Sequence, residues 1–308
     1  MTSPANPPSP SSSTQDMSPA LAKLLQTLTL ERLEDNLFRG PKSNEGWQRV
    51  YGGQVLGQAL AAAANTVEVD RPIHSLHGYF LLAGDPQHEI VYDVERLRDG
   101  SSFTTRRVRA VQHGRAIFAM SASFHKQETG FDHQSTMPIV PRPETLPRAK
   151  DLVSQMMAHL PENMRAYWDR EHPIDVRIVD PSRYTSREPH AAEQSVWLKT
   201  NGHLPDLPHI HQAVLAYASD FTLLDTALVA HGKLLFDRDI QLASLDHAMW
   251  FHRPFSADNW LLYAQDSPTA FGARGYCRGA IYDLDGRLVA STVQEGLMRK
   301  RDTAFVLK

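Results

Sequence analysis

The same order of elements occurs twice along this chain of 308 residues. Each half begins with an apolar helix, at 53–66 and at 211–231, and continues with four predicted strands. In the first half these strands are 73–82, 89–97, 103–112 and 116–125, and in the second half 240–252, 260–265, 273–284 and 288–298. A repeated helix-and-strand pattern requires two units of the same construction, so it constrains the fold more than any single segment does.

Each unit is predicted to be α+β, with an antiparallel sheet wrapped around a long helix. Phe118, Met120 and Phe124 alternate with Ser121 and Ser123, which is typical of a strand with one buried face. The first helix is rich in alanine, and small side chains let a curved sheet approach closely. The predicted division is a disordered Ser/Pro-rich tail (1–18), a first unit (19–127), a Pro-rich connection (128–192) and a second unit (193–308).

The connection between the units is long, so we expect it to cross the surface, with a short helix at 149–159 and no catalytic role.

The formal net charge of −3 argues against binding to nucleic acid or to an anionic membrane surface. Cys277 is the only cysteine, which excludes an internal disulfide and favours a reducing compartment. The tail lacks the apolar stretch of a signal peptide, and 306–308 is not a peroxisomal address, so we predict a cytoplasmic protein.

Asp220 is the most unusual residue of the second predicted helix, because it puts a carboxylate on the face that should be buried. Its neighbours one turn away are Ala216, Tyr217, Leu223 and Leu224. Burial of an ionised carboxylate costs several kcal/mol unless hydrogen bonds or a partner compensate it. Such a group is either a satisfied structural residue or part of an active site, and both interpretations stay open at this point.

Two other kinds of site receive less support from the sequence. Ser244, Asp246 and His247 resemble a serine-hydrolase triad, but on a strand His247 points away from the other two, and no G-x-S-x-G motif occurs. The 15 histidines form neither an H-E-x-x-H motif nor a Cys/His cluster, so no metal is predicted. His74 remains a candidate for catalysis, because it precedes a first-half strand that matches the segment around Ser244.

Four segments carry a resemblance to a known family. They are 52–60 (GGQVLGQAL), 219–221 (SDF), 245–255 (LDHAMWFHRPF) and 291–296 (STVQEG), in this order along the chain. Together they resemble the TesB-type acyl-CoA thioesterase II family, and the similarity spans roughly residues 20 to 300.

The resemblance implies a double hotdog fold, which is two helix-in-sheet units on one chain, and hydrolysis of acyl-CoA to a free fatty acid and CoA. By motif position the family's catalytic residues are Asp220, Ser244 and Gln294, which hold and activate a water molecule. It implies no cofactor, and we expect a homodimer or larger homo-oligomer. Since the first helix has no carboxylate matching Asp220, one site per chain is expected.

Several points of the thioesterase interpretation stay open. The Asp220 carboxylate either activates water or attacks the thioester directly to give a mixed anhydride. Backbone N–H groups near Gly52 and Gly53 are candidates for stabilising the oxyanion, and the cluster at 106–109 contains candidate CoA-phosphate contacts in Arg106, Arg107 and Arg109. The alternatives to a thioesterase are a hotdog hydratase or dehydratase, which pairs an Asp with a His, and a non-catalytic acyl-CoA-binding module.

Overall fold

A computed structural model describes residues 17–43, 48–149, 151–152, 170–182, 186–235 and 237–301. The predicted disordered tail falls almost wholly outside these residues. The same holds for most of the predicted helix at 149–159 and for the C-terminal residues 306–308. Within the described part of the chain, no helix is long and apolar enough to cross a membrane.

The described residues of the first unit form two helices and six strands. Its helices are α1 (Pro19–Leu28) and α2 (Gly52–Ala64). Its strands are β1 (Glu31–Glu34), β2 (Leu37–Gly40), β3 (Ile73–Phe80), β4 (Ile90–Asp99), β5 (Phe103–Gln112) and β6 (Arg115–His125). Ser18 caps α1 by accepting a hydrogen bond from the Leu21 N–H at 3.1 Å. The helix α2 and the four strands after it lie where the pattern predicts them.

The second unit repeats this order. It begins with β7 (Ile174–Ile178) and β8 (Glu193–Thr200), followed by α3 (Pro208–Ser219) and the single turn α4 (Thr226–Val229). Five strands complete it, namely β9 (Ile240–Ser244), β10 (Asp246–Phe251), β11 (Leu261–Phe271), β12 (Arg274–Tyr282) and β13 (Leu288–Lys300). A 3₁₀ turn at Pro143–Thr145 lies in the connection.

Sheet topology confirms the duplication. From its outer edge inward, the first unit has the order β1-β2-β4-β5-β6-β3, and the second has the equivalent order β7-β8-β11-β12-β13-β10. The inner strands β3 and β10 pair antiparallel, with Ala248 opposite His77, so the two predicted sheets form one continuous sheet. The strand β9 lies off this path and pairs with β13. The α+β double hotdog prediction is therefore confirmed.

The two central helices, α2 and α3, pack directly against each other inside the sheet. Two glycines of α2 make this close approach possible. A Cβ on Gly53 would lie 2.2 Å from the Tyr217 carbonyl oxygen, and one on Gly57 would lie 3.1 Å from the Ala213 carbonyl oxygen. The N-terminus of α2 is thereby held against the C-terminus of α3, and Asp220 lies at this junction.

The predicted helix at 211–231 is wrong in its extent, because α3 ends at Ser219 and a turn separates it from α4. The Ser219 hydroxyl donates to the Ala216 carbonyl at 2.9 Å, and the Phe221 N–H donates to Ala218, which tightens the last turn. Asp220 consequently lies at the C-cap and not in the middle of a helix.

Other strand predictions also need correction. The strand predicted at 240–252 is broken at Leu245, where the Asp246 carboxylate accepts the Glu295 N–H at 2.7 Å. The hairpins β1–β2 and β7–β8 were not predicted, and β7 lies inside the segment 128–192 that the sequence assigned to a connection. The strands β1 and β7 form the two outer edges of the sheet, and β1, β2 and β7 have only four or five residues, so their sequence carries a weak signal. The boundaries of the units stay a prediction.

Candidate active site

Asp220 lies at the junction of the two central helices. Its backbone is still in the right-handed helical region (φ −87°, ψ −3°), but its side chain leaves α3 and meets the first turn of α2. A Cβ on Gly52 would come within 2.6 Å of Asp220 Oδ2. The helix α2 has no side-chain cap of its own at Tyr51. The Asp220 carboxylate therefore occupies the place of a cap, where the free N–H groups and the helix dipole favour a negative charge.

Two neutral side chains bind the same carboxylate oxygen. The Gln294 Nε2 donates to Asp220 Oδ1 at 2.7 Å, and the Ser244 Oγ donates to it at 3.3 Å. Gln294 is fully buried on β13, and Ser244 is the last residue of β9. The strand β9 pairs with β13 so that Ser244 lies opposite Gly296, which explains how residues fifty positions apart reach one atom.

Burial dominates the electrostatics of this carboxyl group. It raises the pKa of Asp220 from its ordinary 3.8 to about 6, because a charge is poorly solvated there. Hydrogen bonds from Gln294, Ser244 and the Gly53 backbone act in the opposite direction and lower this pKa. The result is a carboxylate that is ionised at neutral pH yet basic enough to accept a proton from water.

Aromatic side chains hold the two helix ends together beside Asp220. The Tyr51 hydroxyl donates to the Tyr217 carbonyl at 2.8 Å, and the Tyr51 ring stacks on Phe221 with centroids 5.2 Å apart. On the inner side, the Tyr263 hydroxyl donates to the Ser219 carbonyl at 3.0 Å. The peptide on either side of Asp220 is therefore anchored to a second element, which limits the movement of the carboxylate.

The structure thus brings together all three residues named by the resemblance. The glycines at the start of α2 allow the close approach of Asp220, because the Gly53 N–H acts on its carboxylate and Gly52 leaves room for its Oδ2. Stabilisation of the oxyanion by these backbone groups stays a prediction. The roles of these residues in catalysis stay predictions until they are tested by substitution.

Other candidates lie in different surroundings. His74 Nε2 is 2.8 Å from Ser123 Oγ, and its ring contacts Phe103 and His125, away from the Asp220 carboxylate. The suspected triad is not assembled, because His247 Nε2 lies 3.0 Å from Ser219 Oγ and the Asp246 carboxylate accepts a backbone N–H.

The prediction that Arg106 contacts the CoA phosphates is wrong. Arg106 is 1% exposed, and its guanidinium donates to Thr66 Oγ1 at 2.8 Å and to Asp99 Oδ1 at 2.6 Å. It is a structural residue of the first unit, closed to a ligand. Arg107 and Arg109 are exposed and form ion pairs with Glu95 and Asp93, which is the pattern of a solvated sheet face.

Among the described residues, three side chains able to bind a metal come together at Asp85, His88 and His113. Asp85 Oδ2 lies 2.8 Å from His88 Nδ1 and 3.0 Å from His113 Nε2, so the carboxylate already pairs with both rings at the surface. A separate cavity of about 620 Å³ next to the start of β9 is lined by residues between Arg187 and Asp239 and includes none of the three predicted catalytic residues.

Comparison with known proteins places this geometry in a family. The model of the acyl-CoA thioesterase family matches residues 170–297, and that of the acyl-CoA thioesterase N-terminal domain matches residues 41–125. Acyl-CoA thioesterase 2 of Haemophilus influenzae is 42% identical over 283 residues, which is 92% of this chain and 99% of that protein. The chain belongs to the acyl-CoA thioesterase family.

Two further relatives of this family illustrate its range. Human acyl-coenzyme A thioesterase 8 is 41% identical over 88% of this chain and 87% of its own length. The crystal structure of the acyl-CoA thioesterase II TesB2 from Mycobacterium marinum is 44% identical, covers 92% of this chain and 100% of its own, and superposes with a TM-score of 0.75. The TesB-type resemblance read from the four motifs is confirmed.

Sequence reasoning missed the environment of His247. This histidine is fully buried, and burial lowers its pKa to about 4, so its ring is neutral at physiological pH. The sequence correctly placed His247 on a strand. Its proximity to Gln294, however, follows from the pairing of β10 with β13, which no local pattern reveals. The LDH segment that carried the resemblance was the one available signal.

Proposed function

We propose that the protein hydrolyses acyl-CoA by water attack, with the Asp220 carboxylate as the general base. The observation that carries this proposal is the shared contact of Asp220 Oδ1 with Gln294 and Ser244, at 2.7 and 3.3 Å. Neutral hydrogen-bond donors keep the carboxylate ionised and oriented. A salt bridge would instead neutralise its charge. The membership of the chain in the acyl-CoA thioesterase family supports the substrate class.

In the proposed reaction, the oxygen of a water molecule bound near Asp220 attacks the thioester carbonyl carbon. The same water gives one proton to the Asp220 carboxylate. The tetrahedral intermediate then collapses, the C–S bond breaks, and CoA leaves as a thiolate that takes up the proton. A thiolate is a good leaving group, so the site mainly needs positioning and charge stabilisation. In this proposal the Ser244 hydroxyl and the Gln294 amide orient the water.

The alternative functions receive less support from the site. A hydratase or dehydratase pairs its acid with a histidine, whereas the side chains bonded to Asp220 within the described residues are Gln294 and Ser244. A non-catalytic binding module would have no reason to keep a buried carboxylate with a pKa near 6.

Release of free thiol from acyl-CoA tests the proposal directly. Short-, medium- and long-chain acyl-CoA substrates should each be assayed with the wild type and with Asp220→Asn. Thiol release by the wild type that depends on Asp220 is expected. Formation of a hydroxyacyl or enoyl product without thiol would favour the hydratase class, and tight acyl-CoA binding without turnover would favour a binding module.

Single-turnover hydrolysis in isotopically labelled water distinguishes the two roles of Asp220. Attack by water puts the label only in the fatty acid product. Label in the Asp220 side chain would instead demonstrate a mixed anhydride and would exclude the general-base scheme.

Two further features belong to this proposal. The protein acts in the cytoplasm, an assignment supported by one buried, unpaired cysteine, Cys277. It also acts as a homo-oligomer, which is supported by the complete exposure of the large apolar side chains Phe131 and Ile139. Sedimentation or light scattering of the purified protein tests the second assignment.

A further inference from the structure

The amide of Gln294 must take one of two orientations, and only one of them serves Asp220. An amide donates through nitrogen and accepts through oxygen, so the contact with a carboxylate requires Nε2 on that side. This contact is 2.7 Å long. The amide oxygen is then turned away from Asp220, into the protein. Oε1 is buried there, and the described residues provide no hydrogen bond to it. A buried acceptor without a donor would favour rotation of the amide by half a turn.

His247 is the residue placed to supply that donor. It lies on β10, where Ala248 pairs antiparallel with Val293, and the same register extended by one position brings His247 opposite Gln294. Both side chains are fully buried, 0% exposed. The His247 Nδ1 atom is also buried and also without a hydrogen-bond partner in the described part of the chain. Two neighbouring strands therefore carry complementary buried atoms, one nitrogen and one oxygen, and neither has a hydrogen-bond partner among the residues that the structure describes.

The other ring nitrogen is already engaged. His247 Nε2 lies 3.0 Å from the hydroxyl of Ser219, the residue directly before Asp220. A neutral imidazole carries one proton, so the ring exists as one of two tautomers. If Nδ1 holds the proton, it donates to Gln294 Oε1, and Nε2 accepts the one proton of the Ser219 hydroxyl, which is then shared in a three-centre hydrogen bond with the Ala216 carbonyl 2.9 Å away. If Nε2 holds it, two lone pairs face each other at Gln294, and the amide is pushed toward the orientation that opposes the carboxylate.

From this arrangement we infer that His247, as its neutral Nδ1–H tautomer, is a positioning residue that holds the Gln294 amide with its NH₂ group toward Asp220. The network Ser219–His247–Gln294–Asp220 closes on itself, because Ser219 and Asp220 are consecutive in the chain. The inference rests on the proposed role of Asp220. It adds a residue that touches neither the carboxylate nor the substrate, and it explains why a fully buried histidine occurs where an aromatic residue would pack at less cost.

The matched variants are His247→Asn and His247→Gln. The amide nitrogen of asparagine reaches roughly the position of histidine Nδ1, whereas that of glutamine reaches roughly the position of Nε2. His247→Phe removes both nitrogens and keeps most of the ring volume. His77→Asn on the adjacent strand β3, an exposed histidine that pairs with Ala248, is the control.

We expect His247→Phe to lower kcat about 10- to 100-fold with KM changed less than about threefold, because misorientation of Gln294 affects the base and not the acyl pocket. The acidic limb of the kcat/KM profile should move to higher pH, since loss of the Gln294 hydrogen bond raises the pKa of Asp220. The groups facing Asp220 that set this limb are Gln294 on β13, Ser244 on β9, the Gly53 N–H on α2 and Tyr263 on β11.

His247→Asn should recover most of the lost kcat and return the acidic limb of the kcat/KM profile to its wild-type pH. His247→Gln should do neither. In a Gln294→Leu background, His247→Phe should cost less than about threefold, because the two substitutions remove the same interaction. Equal activity of the Asn and Gln variants would overturn the inference, as would full additivity of the two substitutions. If His247→Phe does not fold, the comparison of His247→Asn with His247→Gln still tests the positioning role of His247.

The result is separable from the proposed function. Inactivity of Asp220→Asn together with a fully active His247→Gln would reject the positioning role alone. Activity of Asp220→Asn would instead reject the general-base assignment, whatever the His247 variants do.

Discussion

The substitution Asp220→Asn should make the enzyme inactive and more stable at the same time. The physical reason is the raised pKa of this carboxyl, about 6 against an ordinary 3.8. The folded protein binds the Asp220 proton more tightly than the unfolded chain does. Stability from this group is therefore fully present below pH 3.8 and is lost as the pH rises through 6. At pH 8 the wild type pays this electrostatic cost in full.

The size of the effect follows from the shift. A change of this extent corresponds to about 3 kcal/mol of unfolding free energy between the protonated and the ionised group. Asparagine removes the charge and keeps an oxygen for Gln294 and Ser244. Its NH₂ group would, however, face the N-terminus of α2, where a donor is unfavourable by about 1 kcal/mol. We therefore expect Asp220→Asn to raise the unfolding free energy at pH 8 by about 1 to 2 kcal/mol.

Urea unfolding at pH 4 and pH 8 measures the stability change, and thiol release at pH 8 measures activity. The expected outcome is a loss of kcat of about 100- to 10,000-fold, with the stability gain confined to the higher pH. Asp246→Asn is the control, because burial also raises the pKa of Asp246, but this residue contacts Glu295 and not the site. It should keep kcat within about fivefold. A variant at position 220 that is less stable at pH 8, or that retains near-normal turnover, would refute the reasoning.

Three further predictions test the surroundings of the site. Gly52→Ala should lower kcat at least about tenfold while the protein remains folded, because the new Cβ would lie 2.6 Å from Asp220 Oδ2; steady-state kinetics checks this, and an unchanged kcat would contradict it. Arg106→Leu should lower the unfolding free energy by about 3 kcal/mol through the lost hydrogen bonds to Thr66, with KM for acyl-CoA unchanged in the folded fraction. A raised KM without destabilisation would restore a phosphate-binding role. Cys277 should resist thiol reagents in the native protein at pH 8 and react after denaturation, because burial raises its pKa to about 11. Rapid labelling of the native protein would disprove the burial of this thiol.

Much of the fold was predictable from the sequence because its signals are local. Strand alternation in β5 and β6 and the apolar run of α2 depend on neighbours within a few residues, so their positions followed from the pattern. The repeated order of these elements predicted the duplication. The pairs β1–β2 and β7–β8 at the two ends of the sheet were not predicted, because the edge strands β1 and β7 have only four and five residues and obtain their stability from the strand beside them.

The sequence by itself determined which polar residues lie on apolar elements. Asp220 was conspicuous because a carboxylate stood among buried side chains, and Gln294 because an amide interrupted an apolar strand. Their assignment as partners came from family resemblance, since spacing along the chain does not report which strands pair.

Only the tertiary structure decided what these residues contact. The end of α3 at Ser219 turns the Asp220 carboxylate toward the N-terminus of α2, and the pairing of β13 with both β9 and β10 delivers Ser244 and His247 to Gln294. Helix ends and strand partners are set by long-range packing and by the competition for buried hydrogen bonds. Local patterns carry no record of that competition, so the sequence names the groups of this site and the fold determines their hydrogen bonds.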